Sequence, residues 1–222
     1  MLLVLAGIAA VLAYEHCGIA CGLSPMVVAG ALLYLFRDPS RTIPSAPLGI
    51  VSPVDGRIVS IAEEHDPFLG RPAVKVGIRM KPLDPWILRG AIEGRVMEQW
   101  YVTKGVKARS IAAEDNTFLS KHGASGRPYF AMWIQTDEAD DVVIAVRGAW
   151  LPRRLHCSVH TGERVGQGQR CGMVPFGAMA DVYVPANSRI DAAPEGTVRA
   201  GSDIIATLIH NEKPAAASGN GQ

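Results

Sequence analysis

The apolar positions of this chain fall into two regimes. From Met1 to Phe36 they are nearly continuous, reading MLLVLAGIAAVLAY, then Glu15-His16, then CGIACGLSPMVVAGALLYLF. The second part, Cys17 to Phe36, supplies about the 20 residues a spanning helix needs, with Pro25 as a kink. The shorter first part suits a re-entrant or paired helix. No basic residue precedes the run and no small-residue cleavage pattern comes after it, so a signal peptide fits poorly. A helical hairpin buried in a soluble core is the alternative, but a core does not gather its apolar residues in one N-terminal block. Residues 1–36 are therefore expected to form a membrane anchor. Arg37 and Arg41 come directly afterwards, and the positive-inside rule places the rest of the chain in the cytoplasm.

Beyond residue 36 the pattern changes. Pro39, Pro44 and Pro47 exclude a helix and predict a stiff, extended linker over residues 37–49, whose basic residues can approach anionic headgroups. From residue 50 apolar and polar positions alternate with period two. Arg57–Ile61 and the stretch AVKVGIRM (73–80) read as strands, and another begins near Ile92 after the Pro82–Pro85 turn. YFAMWIQTD and DVVIAVRGAW read as a hairpin across the acidic turn Asp137–Asp141. The run RCGMVPFGAMADVYVP (170–185) reads as two strands joined through Phe176-Gly177, an ordinary β-hairpin on pattern alone, and EGTVRAGSDIIATL as a last hairpin with a terminal strand. Residues 104–128 are polar and irregular, with His122 a solvated loop residue. The tail, residues 211–222, is disordered by composition. The expected fold is a mainly β, antiparallel sandwich or barrel-like domain over residues 50–210, behind an N-terminal membrane helix or helical hairpin.

Composition changes this picture little. A formal net charge of +1 gives no reason to expect a nucleic-acid partner. Four cysteines, at 17, 21, 157 and 171, form neither a CxxC pair nor a zinc spacing, and all read as reduced. His156 and His160 have the i, i+4 spacing of a helical metal pair, but they lie in β context beside Gly162 and lack a third ligand. No metal is expected.

Six motifs carry the candidate chemistry. FRDPSRTIP (36–44) is succeeded by SPVDG (52–56), and the chain later presents DPWILRGAIEGRV (84–96), Glu114-Asp115-Asn116, Arg153-Arg154 and PFGAMADVYVP (175–185). As turn chemistry alone, Asp55-Gly56 is ordinary, since Asp accepts backbone hydrogen bonds and Gly takes positive φ. Adjacent arginines are as often a solvated strand end as a bidentate phosphate grip. Taken together and in order, from about Phe36 to Leu208, these motifs resemble the phosphatidylserine decarboxylases in their short, membrane-anchored bacterial form.

In that family a run of the form F-G-S-R-x-D-V-Y-L-P is cleaved before its serine, which becomes a covalent pyruvoyl group. The resemblance implies that Gly177 and Ala178 occupy the cleavage position and that Asp55 is the catalytic carboxylate. It also implies that Trp86 stands where the family has a histidine, and that Arg89, Arg153, Arg154, Phe176 and Met179 belong to the substrate region. After the EDN triplet, Thr117-Phe118 replace the family's Glu-Arg. Ala178 has no hydroxyl and Trp86 no accessible base, so packing is the better role for Trp86. Gly201-Ser202 could be mistaken for a displaced cleavage site, but its place ahead of Asp203-Ile204-Ile205 makes it turn chemistry.

The expectation is a protein of phospholipid biosynthesis at the inner membrane, its bulk on the cytoplasmic face. It is expected to be unprocessed and to lack the pyruvoyl group by which the family turns phosphatidylserine into phosphatidylethanolamine and carbon dioxide. Its expected partners are the phospholipid bilayer, a phosphatidylserine-like headgroup, and a second copy or an active family member. The alternatives are a non-catalytic headgroup-binding or partner protein derived from that family, or a different reaction using Asp55, Asp115 or Cys171.

Overall fold

A computed structural model describes Gly7 and residues 19–102, 129–147, 156–174 and 177–209. Arg153, Arg154 and Phe176, with the Glu114–Phe118 segment, His122, Cys17 and the tail 211–222, lie outside the described residues. An apolar helix, α1 (Ile19–Leu35), comes first, with Pro25 inside it. At 17 residues it is shorter than the expected span, and no helix among the described residues is long and apolar enough to cross a membrane.

Beyond α1 the regular structure is antiparallel β. The strands are β1 (Gly49–Val51), β2 (Gly56–Asp66), β3 (Arg71–Arg79), β4 (Ile87–Arg89), β5 (Gly94–Val102), β6 (Tyr129–Gln135) and β7 (Asp141–Arg147). After these come β8 (His156–Cys157), β9 (Arg164–Val165), β10 (Arg170–Met173), β11 (Met179–Pro185), β12 (Arg189–Ile190), β13 (Thr197–Val198) and β14 (Ile204–Thr207). Among the described residues, eight strands make one sheet in the order β13-β2-β3-β11-β7-β6-β5-β9, and two three-stranded sheets, β1-β14-β12 and β4-β10-β8, accompany it.

Period-two alternation explains how the sheets close on one core. Ile58, Ile78, Val146 and Val182 turn inward from the large sheet to meet Ile50 and Ile205 of one small sheet and Leu88 and Cys171 of the other. The opposite face of the large sheet is also apolar at its centre. There Ala73, Trp100, Ala131, Val143, Ala145 and Tyr183 pack together under Phe68, whose ring lies 5.1 Å from that of Trp100. Burial on both faces is why β7 and β11 read as continuous apolar runs. Two bulges break the ladders of the large sheet, between Ile58 and Ser60 and between Val96 and Glu98. The extra residue in each case, Val59 and Met97, is turned out toward solvent.

The hairpin expected across residues 137–141 is present as β6–β7. Two other expected hairpins are not. β10 pairs with β4 and β8, whereas β11 pairs with β3 and β7, so the chain crosses from one sheet to another between Met173 and Met179. Likewise β13 joins β2 while β14 joins β1 and β12. Alternation identified these strands correctly, but pairing depends on non-local packing that alternation does not encode. The Gly201-Ser202 step is a turn as expected, with Gly201 at φ 72° and the Ser202 amide donating to the Arg199 carbonyl at 3.2 Å.

Candidate functional site

The site is built where the Gly177-Ala178 step enters β11. The Met80 amide donates to the Ala178 carbonyl at 2.9 Å, which carries the β3–β11 ladder one step past the Arg79–Met179 pair. Gly177 sits at φ 78°. A Cβ there would meet the Met80 carbonyl oxygen at 3.0 Å and the Lys81–Pro82 peptide just beyond, so glycine suits both the conformation and the close approach. Ala178 is half-buried and packs against the core. Met179 is also half-buried, and its Cα partners are Arg79 on one side and Arg147 on the other.

The Lys81–Pro85 turn joins this step to Trp86. Its first amide, Lys81 N–H, donates to the Asp84 carboxylate at 2.8 Å, and the Asp84 amide returns to the Lys81 carbonyl at 3.1 Å. The Trp86 indole is buried, donates its N–H to the Pro82 carbonyl at 2.9 Å, and meets the Phe36 ring edge-on at 5.1 Å. The packing role read for Trp86 is the one the geometry displays.

Asp55 closes the opposite side. It precedes Gly56, where a Cβ would lie 2.5 Å from the Arg79 carbonyl oxygen, so the SPVDG turn abuts the end of β3. The carboxylate is buried, pairs with the Arg41 guanidinium at 2.8 Å and accepts the Ala200 amide at 3.3 Å. Burial pushes its carboxyl above the ordinary value, against the opposing pull of Arg41 and the Ala200 N–H; Asp84 nearby pushes the same way as burial.

Arg89 lies across the Ala200-Gly201 step from Asp55. A Cβ on Gly201 would fall 2.8 Å from Arg89 Cδ. The buried guanidinium donates to the Gly168 carbonyl at 3.0 Å and to the Asp38 carboxylate at 3.1 Å, and Arg170 takes the other Asp38 oxygen at 2.6 Å. Cys171 is fully buried in β10, its Sγ 3.5 Å from the Leu88 carbonyl. Its hydrogen bond with Cys157, together with burial, pushes its thiol well up, which makes it a poor nucleophile.

Of the residues singled out from sequence, the structure thus gathers Asp55, Trp86, Gly177, Ala178 and Met179 around the end of β3, with Arg89 one step behind. The sequence assigns no site role to Phe36 or Asp38, and to Arg41 only a membrane-surface one, which its ion pair with Asp55 replaces. The signal for them was the FRDPSR stretch itself, whose order ahead of SPVDG was noticed only as a motif.

A family model described as phosphatidylserine decarboxylase matches residues 28–206. The chain is similar to the protein named phosphatidylserine decarboxylase proenzyme from Nitrosomonas eutropha, 31% identical over 185 residues, covering 81% of this chain and 79% of the relative. The protein of the same name from Aromatoleum aromaticum is 32% identical over 182 residues, 80% of this chain and 78% of the relative. That from Cupriavidus metallidurans is 32% identical over 207 residues, 90% and 89% of the two chains. No solved structure matches.

Proposed function

This chain belongs to the phosphatidylserine decarboxylase family, and from that premise we propose that it acts at a phospholipid membrane as a single, uncleaved chain that keeps the family's headgroup site without its pyruvoyl chemistry. The observation that carries this reading is Ala178. The residue after the left-handed Gly177 presents a methyl group packed against the core, and a methyl group offers no oxygen from which the family's prosthetic group could arise. The residues present do not fit that group. Trp86 supports the same conclusion from another strand connection: its one N–H is committed to Pro82, and it holds no proton to exchange near neutral pH.

The headgroup reading assigns Asp55 to face the polar end of a phosphatidylserine-like lipid, with Met179 beside the Ala178 step; Arg153 and Arg154, which the resemblance gives to the substrate region, lie outside the described residues. Arg89 acts in this reading from behind the site, through Asp38. The bilayer reading rests on α1. Leu23, Met26, Val27, Val28, Leu32 and Leu33 are all exposed, an apolar surface that water would not favour and lipid would. Arg37 lies at its C-terminal end, donating to the Tyr34 and Leu83 carbonyls, and its charge keeps the domain on the cytoplasmic face.

The test is Ala178→Ser with and without Trp86→His, scored by chain cleavage and by carbon dioxide release from phosphatidylserine vesicles. Ala178→Ser alone is expected to yield neither, because two separate parts of the chemistry have been replaced. Robust activity from that single change would overturn the reading.

A further inference from the structure

The residues just after α1 make contacts that a spacer would not. Phe36 ends the apolar segment, and Asp38 and Arg41 belong to the proline-rich stretch, yet each touches a different wall of the site. Phe36 lies edge-on to Trp86 at 5.1 Å. Asp38 bridges Arg89 at 3.1 Å and Arg170 at 2.6 Å, drawing together β4 and β10. Arg41 reaches Asp55 at 2.8 Å, with the two side chains only 15% and 10% exposed. Farther on, the Gln167 side-chain amide donates to the Ala46 carbonyl at 2.9 Å. The stretch carries no helix or strand between α1 and β1, and it is laid down across the domain.

We propose that residues 36–41 are a strap that completes the site, and that Arg41 is the positioning residue for the Asp55 carboxylate. Asp55 has two donors, Arg41 and the Ala200 amide, at 2.8 and 3.3 Å. The charged one comes entirely from the strap, which is continuous with α1. A nearly buried ion pair is screened far less than a surface pair, and a carboxylate that loses its guanidinium there is left with a weaker neutral donor. Among the described residues, the charged groups around Asp55 are Arg41, Arg199 and Asp84. Arg199 is exposed and already held by Asp203 at 3.2 Å, and Asp84 is of the wrong sign, so neither replaces Arg41. Asp38 has the same relation to Arg89, whose side chain is 7% exposed. The strap therefore orients both the Asp55 carboxylate at the site and the Arg89 guanidinium behind it, and displacement of the segment beyond α1 would undo both.

This inference deepens the reading of Asp55 as the family's working carboxylate and rests on it, but its test does not. The measurement is the titration of the Asp55 carboxyl by carbon-detected NMR in the full chain in phospholipid nanodiscs, for the parent, Arg41→Lys, Arg41→Gln and Asp38→Asn. Arg41→Gln should move the Asp55 midpoint to higher pH, since the group that favours its charged form is gone. Arg41→Lys should restore most of the difference, and Asp38→Asn should shift it in the same direction by loosening the strap. Should Arg41→Gln fail to fold, Asp38→Asn decides alone. An Asp55 midpoint unmoved in the folded variants, or moved equally by Arg41→Lys and Arg41→Gln, overturns the proposal. Failure of the functional reading would appear instead in the cleavage assay, with this titration unchanged.

Discussion

The Met80 amide donates to the Ala178 carbonyl at 2.9 Å, and with it the last rung of the β3–β11 ladder is set directly at the step where the family's chain would be cut. The peptide before that step is bent by a left-handed Gly177, and the one after it is locked into the central sheet. The end of the ladder holds the Gly177-Ala178 peptide in a fixed position whether or not any chemistry occurs there.

Replacing Gly177 is therefore expected to strain the fold. An L-residue in the left-handed region costs roughly 1–2 kcal/mol, and the added Cβ would press on the Met80 carbonyl at 3.0 Å. Gly177→Ala should lower the unfolding free energy by about 2 kcal/mol in urea titrations. An unchanged midpoint would show that this turn relaxes freely.

Asp181 offers a pH test two residues along β11 from Met179. It is buried in the centre of β11 with Arg147 as its ion-pair partner, and burial outweighs the pull of Arg147 and Lys75 to push its carboxyl up. A raised carboxyl stabilises the fold most when protonated, below its unfolded value, and that contribution is lost as pH rises through the folded value. Asp181→Asn keeps the shape and cannot ionise. Relative to the parent it should gain stability as pH rises above the ordinary carboxylate value of about 4. The other raised carboxyls, Asp55, Asp66 and Glu98, are common to both proteins and cancel in the difference. A stability difference independent of pH would contradict the burial argument.

How much of this was legible in the sequence depended on the range of the interaction concerned. Alternation, apolar runs and Gly–Pro punctuation marked β2, β3, β6, β7, β11 and β14, because a strand buried on one face or on both writes its own pattern. The pairing of β10 away from β11 was not legible: a short chain reversal and a sheet crossing use the same residues, and the choice lies with Leu88 and Cys157, distant in sequence, which receive β10. Short strands such as β4 and β12 have too few residues to show a period. In the site, Asp55, Trp86 and Gly177 were found through motif order, whereas Asp38 and Arg41 were passed over because prolines around them suggested a tether. Nothing local distinguishes a tether from a strap until its charged side chains meet Arg89 and Asp55.

The exposed apolar side of α1 predicts behaviour of the whole protein. Full-length chain expressed in bacteria should sediment with membranes and stay there after a high-salt wash, since burial of apolar area does not weaken with ionic strength as a headgroup ion pair does. Extraction should require detergent. Full-length protein found in the soluble fraction without detergent would end the anchor reading.

The most direct measurement of the central claim is the intact mass of the purified protein. An oxygen-free side chain at residue 178 predicts one species of about the full 23.7 kDa, with residues on both sides of the Gly177-Ala178 peptide in the same chain and no new terminal carbonyl. Two fragments that meet between Gly177 and Ala178, summing to the chain, would contradict the account at its foundation.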